Sequence, residues 1–192
     1  MNSVKLIRLA RRPSSATTCT QVGDLGGRSK GQAKSSAPPV EHAGRLAGRK
    51  AQITGASHRI ARAIEQAHAA EGADVFLVAP RLDALQLTQA PVQVAAGQAP
   101  VQQPCDVRDR GAAQAMVERA MALMGGVNIL VNNADVYHAA RFIDIEPQDF
   151  DRVLQVNVCG AFPVLQAVLR TMHRVGRGGA VNVAATAGKR AR

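Results

Sequence analysis

The chain alternates between short apolar runs and longer segments in which apolar residues recur every three or four positions. Short unbroken apolar runs are typical of strands buried on both faces of a parallel sheet, and the longer spacing is typical of helices. The runs predict strands at Lys50–Thr54, Asp74–Ala79, Val101–Gln103, Ile129–Val131 and Gly179–Val183. The spacing predicts helices at Ile60–Glu71, Leu82–Gln89, Gly111–Met124 and Pro147–Arg174.

The alternation of strands and helices predicts an α/β fold, a doubly wound parallel sheet with helices on both faces, truncated after the fifth strand. The first strand, its turn, the first helix and the second strand occupy about 30 residues, the size of a βαβ unit with a right-handed crossover. Because Pro104 has no N–H for a ladder, the third strand is expected to be short or at an edge. The last strand is expected to be an exposed apolar edge.

Each of three predicted helices carries an apolar stripe. Gly72 is expected to end the first helix, Asp106 or Asp109 to cap the third, and Pro147 to lie in the first turn of the long helix. The stripes are Ile60, Ala63, Ile64 and Ala67 on the first helix, Met116, Ala120 and Leu123 on the third, and Phe150, Val153, Leu154, Val158, Phe162, Leu165 and Leu169 on the long helix.

Composition narrows the class of protein. Of the 192 residues, 46% are apolar and 3% are aromatic, so the chain is long enough to bury a mainly aliphatic core. Cys19, Cys105 and Cys159 are odd in number and lack a C-x-x-C spacing, which argues against disulfides and zinc and favours a reducing, cytoplasmic compartment. The histidines lack an H-E-x-x-H spacing, so no metal site is predicted. No unbroken apolar stretch approaches about 18 residues, so no membrane span is predicted.

The net charge of +10 lies mostly near the N-terminus. Residues 1–50 hold ten Lys/Arg against two acids, whereas residues 51–192 hold fourteen against twelve. The nearly neutral remainder argues against specific nucleic-acid binding. Residues 1–42 are predicted to be a disordered basic extension before a folded domain at 43–192. The alternatives are an organellar targeting segment with one or two amphipathic turns at Val4–Arg12, translated upstream DNA, and an adaptor for anionic surfaces.

Candidate chemistry centres on Val127–Asp135, which reads V-N-I-L-V-N-N-A-D. Asn132 and Asn133 directly follow the apolar run, and open α/β sheets bind ligands at the carboxyl ends of their strands. The same pattern also fits a buried strand that ends in an Asn-rich turn. The turn T-G-A-S-H-R-I-A at Thr54–Ala61 joins the first strand to its helix, where backbone amides can bind phosphate. It contains a single glycine, Gly55, which is a weak signal by itself.

Taken in order, several motifs resemble those of the short-chain dehydrogenase/reductase family. They are L-A-G-R-K-A-Q-I-T-G-A-S at Leu46–Ser57, G-A-D-V-F-L-V-A-P-R at Gly72–Arg81, C-D-V at Cys105–Val107, the strand V-N-I-L-V-N-N-A-D, N-V-C-G-A-F at Asn157–Phe162 and G-G-A-V-N-V-A-A-T-A-G at Gly178–Gly188. The resemblance implies a partial, Rossmann-like NAD(P)-binding domain. It also implies an oxidoreductase that transfers a hydride between a carbonyl and an alcohol of a small molecule.

The resemblance implies roles for individual residues. Gly55, Ser57, His58 and Ile60 would lie along the cofactor phosphates, Asp106 and Val107 would flank the adenine, Asn133 would contact the nicotinamide-side ribose, and Asn157 would be the catalytic asparagine that holds a water. Arg81 would meet a 2′-phosphate, because Ala79 and Pro80 stand where NAD-preferring relatives carry an acid. NADP is therefore the expected cofactor, with NAD as the alternative. The helix at 147–174 resembles the family's dimerisation helix, which implies a homo-oligomer.

Several positions depart from the family pattern. Arg59 and Asp135 replace glycines, and each adds a side chain where an anionic cofactor would approach. Ala185 stands at the position of the catalytic serine, and no Y-x-x-x-K follows it within the 192 residues. Loss of one transition-state donor costs about 2.7–4 kcal/mol, and loss of a general acid–base costs roughly 10² to 10⁴ in rate. We therefore expect an impaired or inactive enzyme, a pseudoenzyme. A non-catalytic remnant that binds a nucleotide or a partner is the alternative.

Overall fold

The computed structural model describes residues 2–9, 44–57, 59–88 and 99–185, and of residues 2–9, 59 and 185 it describes the backbone alone. The strands are β1 (Asn2–Leu9), β2 (Lys50–Thr54), β3 (Asp74–Ala79), β4 (Val101–Pro104), β5 (Ile129–Asn132) and β6 (Gly178–Ala185). The helices are α1 (Arg59–Ala70), α2 (82–88), α3 (Arg110–Met124), α4 (Pro147–Leu154) and α5 (Ala161–Val175). A 3-10 turn lies at Phe142–Asp144, and a π-helical segment at Gln155–Gly160 joins α4 to α5.

The strands form one six-stranded sheet in the order β1-β6-β5-β2-β3-β4. Every pairing among β2 to β6 is parallel, which confirms the predicted α/β architecture. The chain runs outward from β2 through β3 to β4 and then returns to β5 on the other side of β2. This reversal is the switch point at which open α/β sheets bind ligands. It brings the carboxyl ends of β2 and β5, at Thr54 and Asn132, to one edge of the sheet.

Several helices and strands begin or end at the residues that the sequence predicted. The side chain of Asp109 accepts a hydrogen bond from the amide of Ala112 and so caps α3. Gly72 follows α1 with φ +84°, a left-handed conformation that favours glycine. Pro147 lies in the first turn of α4. Strand β4, which ends at Pro104, lies at an edge of the sheet.

Two apolar layers cover the sheet. On one face, α3 and α5 pack over β3 and β5 through Phe76, Met116, Val117, Leu130, Val164, Val168 and Met172. On the other face, α1 and α2 pack over Ile53, Leu77 and Val131 through Ala61, Ala69 and Leu85. Both layers are aliphatic apart from Phe76, in accordance with the low aromatic content of the chain.

The buried faces of two helices differ from the predicted stripes. Helix α1 turns Ala61, Glu65 and Ala69 towards the sheet, whereas Ile60 is 46% exposed. Small alanines let the helix backbone approach the sheet closely, so the side with the bulkier Ile60 faces outward. On α3, Leu123 is 54% exposed although the predicted stripe included it. Periodicity located both helices correctly but did not identify which side faces the sheet.

The predicted long helix is confirmed as one continuous helix over Pro147–Val175, with the π-helical segment at its middle. Its buried side is Pro163, Val164, Val168 and Met172. The predicted stripe lies mainly on the outer side, where Phe150, Val158 and Phe162 are more than half exposed. Among the helices in the described residues, this one is long and apolar enough to cross a membrane, with a mean hydropathy of 1.4. Core helices pass the same test, so the expectation of no membrane span stays a prediction.

The predicted disordered extension is wrong for Asn2–Leu9. These residues form β1, which pairs antiparallel with β6 from Asn2 opposite Ala185 to Leu9 opposite Gly178. The alternative of amphipathic turns beginning at Val4 is wrong for residues 4–9, and the predicted exposed edge at β6 is wrong because β1 covers it. The physical reason is that an edge strand offers unpaired N–H and C=O groups, which a second strand rich in Val, Leu and Ile can satisfy. Residues 10–43, including the predicted domain boundary, lie outside the described residues.

Candidate functional site

The turn after β2 and the turn after β5 are bound to each other. The hydroxyl of Thr54 accepts hydrogen bonds from the backbone amides of Asn133 and Ala134, both at 3.1 Å. The side-chain amide of Asn133 donates to the carbonyl oxygen of Gly55 at 3.4 Å. Both Thr54 and Asn133 are at least 95% buried, so these bonds are shielded from water. The two strand ends are therefore held as one rigid edge.

Gly55 is required by this close approach. Its φ of +68° is unfavourable for other residues, and a Cβ at this position would lie 2.7 Å from the Cα of Ala134. No side chain fits at that distance without displacing the backbone of the turn after β5. The glycine therefore lets the two turns meet and leaves room in front of them.

The space in front of the two turns is a cleft of about 270 Å³, which we call the nucleotide cleft. Its walls are Gly55 after β2, Val78, Ala79 and Pro80 at the end of β3, Cys105 to Arg108 after β4, Ala134 to Val136 after β5, and Arg152 and Val156 from the long helix. Most of these walls are aliphatic. The cleft lies at the carboxyl ends of the parallel strands, at the switch point of the sheet.

An ion pair lies on one wall of this cleft. The guanidinium of Arg108 donates to the carboxylate of Asp106 at 2.6 to 3.0 Å, and the Arg108 amide donates to the same carboxylate at 3.0 Å. These hydrogen bonds hold the pKa of Asp106 below its ordinary value. The neighbouring thiol of Cys105 is buried, and this burial, with the nearby Asp106 and Asp109 carboxylates, raises its pKa to about 11. The raised pKa favours the neutral thiol of Cys105 over the thiolate, which is the nucleophilic form of cysteine.

A second cleft, of about 320 Å³, shares Val107 and Ala134 with the first and extends to Asn157 and the end of β6. The side chain of Asn157 forms two hydrogen bonds with one residue of the loop after β5. Its oxygen accepts from the Val136 amide at 2.8 Å, and its nitrogen donates to the Val136 carbonyl at 3.0 Å. The π-helical segment places Asn157 opposite that loop. Asn157 therefore fixes the loop that separates the two clefts.

Comparison with known proteins identifies the family that carries this arrangement. The sequence model described as short chain dehydrogenase matches residues 49–192. The chain belongs to the short-chain dehydrogenase family. It is 36% identical to sorbitol dehydrogenase of Cereibacter sphaeroides over 76% of this chain and 56% of that protein. It is 35% identical to D-threitol dehydrogenase of Mycolicibacterium smegmatis over 74% of this chain and 55% of that protein.

Solved structures of short-chain dehydrogenases share the fold. NAD⁺-bound xylitol dehydrogenase superposes with a TM-score of 0.67 at 33% identity, over 70% of this chain and 52% of that one. A short-chain dehydrogenase from Burkholderia cenocepacia in complex with NADP superposes with a TM-score of 0.62 at 34% identity, over 66% and 52%. The chain thus spans about half the length of the relatives that it matches.

The residues predicted to bind the cofactor are only partly brought together. Gly55, Asp106 and Val107 line the nucleotide cleft. Asn133 lies beneath it, bonded to Gly55, while its neighbours Ala134 and Asp135 form the wall. Ser57 is half-buried in the turn after β2 and is not a wall residue. The roles proposed for these five residues in binding stay predictions.

The other predicted cofactor residues lie away from the cleft or outside the described residues. Ile60 is 46% exposed on α1, and His58 is not described. Arg81 is exposed beside the cleft, and its guanidinium pairs with the carboxylate of Asp83. The pKa of Asp83 is lowered chiefly by this hydrogen bond. A 2′-phosphate would therefore compete with Asp83 for Arg81.

Sequence reasoning missed two wall residues of the nucleotide cleft, Arg152 and Val156. They are four positions apart on the helix that carries Asn157, so they share the helix side that faces the cleft. The signal was available, because placing Asn157 near the loop after β5 also places this side there. Arg152 from the long helix and Asp135 from the loop after β5 are the two charged residues that these elements add to the lining of the cleft.

The adenosine half of an NAD(P) cofactor fits these walls. Aliphatic groups from Ala79, Val107 and Val156 suit a flat aromatic ring, and Gly55 keeps the cleft floor free of a side chain. Asp135 adds negative charge where the family has a glycine, so the fit is less favourable towards the phosphates. Within the residues that the structure describes, no group of three or more His, Cys, Asp or Glu is placed to bind a metal ion.

Proposed function

We propose that this chain forms the cofactor-binding part of an oxidoreductase that uses NADP(H) to transfer a hydride between a carbonyl and an alcohol. The observation that carries the proposal is the nucleotide cleft at the sheet's switch point, closed beneath by Thr54, Gly55 and Asn133. The cofactor supplies the hydride chemistry when it is bound. The residues of the chain bind and orient it, with Asp106 and Val107 beside the adenine.

A direct binding experiment tests this proposal. Calorimetric titration of the full chain with NADP⁺ should show one saturable site, and the thermal midpoint should rise with ligand concentration because the native state alone binds. Val107→Arg would fill the adenine side and should abolish the binding. Leu123→Arg, on the exposed part of α3, is the matched control. Absence of saturable binding to the folded wild-type chain would disprove the proposal.

We propose that the chain prefers NADP to NAD because Arg81 contacts the 2′-phosphate of NADP. This side chain lies just after β3, where the family resemblance puts a 2′-phosphate within its reach, but it is paired with Asp83. Asp83→Asn should free the guanidinium and increase the ratio of NADP⁺ to NAD⁺ affinity several-fold, whereas Arg81→Ala should remove the preference. Both ratios follow from paired titrations. A ratio unchanged in both variants would mean that Arg81 takes no part in cofactor choice.

Catalysis is proposed to be impaired in this chain. Ala185 has no hydroxyl to donate at the position of the family serine, and the side chain of Asn157, the proposed catalytic asparagine, is hydrogen-bonded to the backbone of Val136. Relatives named for sorbitol and D-threitol direct the substrate panel to polyols and their ketoses. NADP⁺ binding without turnover of that panel is the expected result. Turnover at ordinary enzyme rates would refute the impairment and, with it, the alternative of a non-catalytic binding remnant.

Self-association through the outer side of the long helix is also proposed, in a cytoplasmic setting. Phe150, Val158 and Phe162 are exposed along this side. Acidic residues lie near its start, at Asp149 and Asp151, and basic residues lie near its end, so two antiparallel copies would pair unlike charges. Phe162→Gln should shift the mass measured by light scattering towards the monomer. A mass unaffected by this change would exclude the helix as the contact.

A further inference from the structure

The second cleft, of about 320 Å³, is lined in part by the end of β6 and the first turns of α5. Each of its described wall residues is uncharged, whereas Asp135 and Arg152 line the nucleotide cleft. Its apolar walls include Val158, Leu165 and Val183. A charged ligand would lose hydration against these walls without gaining an ion pair from them, so the second cleft favours an uncharged molecule.

Four polar side chains line this cleft, and the described hydrogen bonds engage three of them. Thr54 is bonded to the turn after β5, and Asn157 is bonded to the backbone of Val136. Asn132 donates its side-chain N–H to the side-chain oxygen of Asn182 at 3.0 Å. Among the residues that the structure describes, the side-chain nitrogen of Asn182 has no hydrogen-bond partner. Asn182 therefore offers the cleft a donor that is free to bind a ligand.

Asn132 fixes the direction of that donor. It is only 5% exposed, and its side-chain N–H also donates to the carbonyl oxygen of Ala161 at 3.4 Å. Its own side-chain oxygen has no partner within the described residues, but it is buried and out of reach of a ligand. Because the oxygen of Asn182 is bound to Asn132, the other end of the Asn182 amide is its N–H group. A donor held in one orientation binds an acceptor at a lower entropic cost.

Uncharged walls and one oriented donor together select the chemical class of the ligand. We propose that the second cleft binds an uncharged carbonyl compound with an apolar body, whose oxygen accepts a hydrogen bond from Asn182. Val107 and Ala134 line both clefts, so the bound molecule would adjoin a cofactor in the nucleotide cleft. Its assignment as the substrate rests on the proposed oxidoreductase function, whereas its binding does not. A polyol fits poorly, because most of its hydroxyl groups would lose water without gaining a partner.

Acetophenone tests the proposal, because it joins one carbonyl group to a small apolar ring. Titrated into the full chain without cofactor, it should bind at one saturable site. Benzoate should bind about tenfold more weakly or worse, because its charge would be desolvated against neutral walls, and sorbitol should bind more weakly still. Infrared spectroscopy of bound acetophenone should show a carbonyl stretch at lower frequency than in an apolar solvent, since the oxygen accepts a hydrogen bond.

Two substitutions test the site separately. Asn182→Leu should weaken acetophenone binding about threefold to tenfold, the effect of one neutral hydrogen bond, and should raise the carbonyl stretching frequency of any bound molecule. Ala161→Leu should block binding by filling the cleft, and it keeps the test decisive if Asn182→Leu fails to fold. Gln114→Leu is the matched control, because it replaces an exposed amide on α3 that does not line the cleft. Circular dichroism verifies the folding of each variant.

Several outcomes would overturn the proposal. They include absence of saturable acetophenone binding by the folded chain, and an affinity that neither Asn182→Leu nor Ala161→Leu changes. Lys5 of β1 is opposite Asn182 in the sheet register, so benzoate affinity equal to that of acetophenone would reassign the cleft to carboxylates. Acetophenone binding without NADP⁺ binding would contradict the proposed function alone, and NADP⁺ binding without acetophenone binding would contradict this site alone.

Discussion

Glu65 carries a prediction about stability that follows from its burial. It is 0% exposed on the side of α1 that faces the sheet, between Ala61 and Ala69. Both of its carboxylate oxygens are buried without a hydrogen-bond partner among the residues that the structure describes. Burial raises the pKa of Glu65 to about 8, and the positive charge of Arg62 offsets only part of this effect. The side chain is therefore protonated and neutral in the folded protein at pH 7.

The direction of the pH dependence follows from linkage. The ordinary pKa of a glutamate is 4.5, so between that pH and about 8 the folded chain keeps a proton that the unfolded chain releases. Stability contributed by neutral Glu65 is thus fully present below pH 4.5 and decreases as the pH rises towards 8. The difference between the two pKa values corresponds to at most roughly 5 kcal/mol in the free energy of unfolding.

Glu65→Leu removes the titrating group and keeps an apolar side chain of similar size at the buried position. Urea unfolding followed by circular dichroism, at pH values from 5 to 8.5, measures the free energy of unfolding of both proteins. The variant should gain stability relative to wild type as the pH rises, by several kcal/mol over this range. All other titrating groups are shared by the two proteins and cancel in the difference.

Glu118→Gln is the control, because Glu118 is exposed on α3 and hydrogen-bonded to Gln114. Its difference from wild type should stay nearly constant with pH. If the difference between Glu65→Leu and wild type is also constant from pH 5 to 8.5, the carboxyl group does not hold its proton in the folded chain. The reasoning from burial would then be wrong.

Two further predictions concern the turns of the nucleotide cleft. Gly55→Ala should lower the free energy of unfolding by more than the roughly 1–2 kcal/mol that a left-handed alanine costs, because the added Cβ would meet the backbone of Ala134. Gly48→Ala is the control: Gly48 has the same φ of +68° but open space around it, so this change should cost only the conformational energy. Equal losses for the two variants in urea unfolding would contradict the close approach at Gly55. Asn157→Ala should remove both hydrogen bonds to Val136, cost about 1 kcal/mol and speed amide hydrogen exchange at Val136, whereas unchanged exchange would show that the loop is held without it.

The strands were predictable because the signal that defines them is local. Lys50–Thr54 and Asp74–Ala79 are short apolar runs between turn residues, and both are strands with these bounds. Strand β1 was not predictable in the same way, because the edge that it pairs with is β6, whose residues lie 169 to 183 positions further along the chain (Leu9 opposite Gly178, Asn2 opposite Ala185). The local sequence pattern predicts the conformation that a segment favours by itself, and it does not predict which distant segment will pair with it.

The prediction of which side of α1 is buried was wrong for a related reason. The spacing that begins at Ile60 is wholly apolar, whereas the spacing that begins at Ala61 includes a glutamate, so the sequence alone gives no ground to prefer the second. Packing selected Ala61, Glu65 and Ala69, so the closeness of helix and sheet outweighed the cost of burying a carboxyl group. The candidate site gives a second example of a feature that local sequence does not predict. Arg152 lines the cleft only because the long helix that carries Asn157 packs beside the loop after β5.

The contacts that shape the nucleotide cleft do not depend on the residues that would transfer protons. Thr54 binds the backbone of Asn133 and Ala134, and Gly55 meets the same turn, all within the paired ends of β2 and β5. An alanine at the serine position removes a donor worth about 2.7–4 kcal/mol from the transition state alone. That loss lowers the rate and leaves ground-state binding intact. We therefore expect binding and catalysis to be separable in this chain, and cofactor affinity without turnover is the outcome that the proposed impairment predicts.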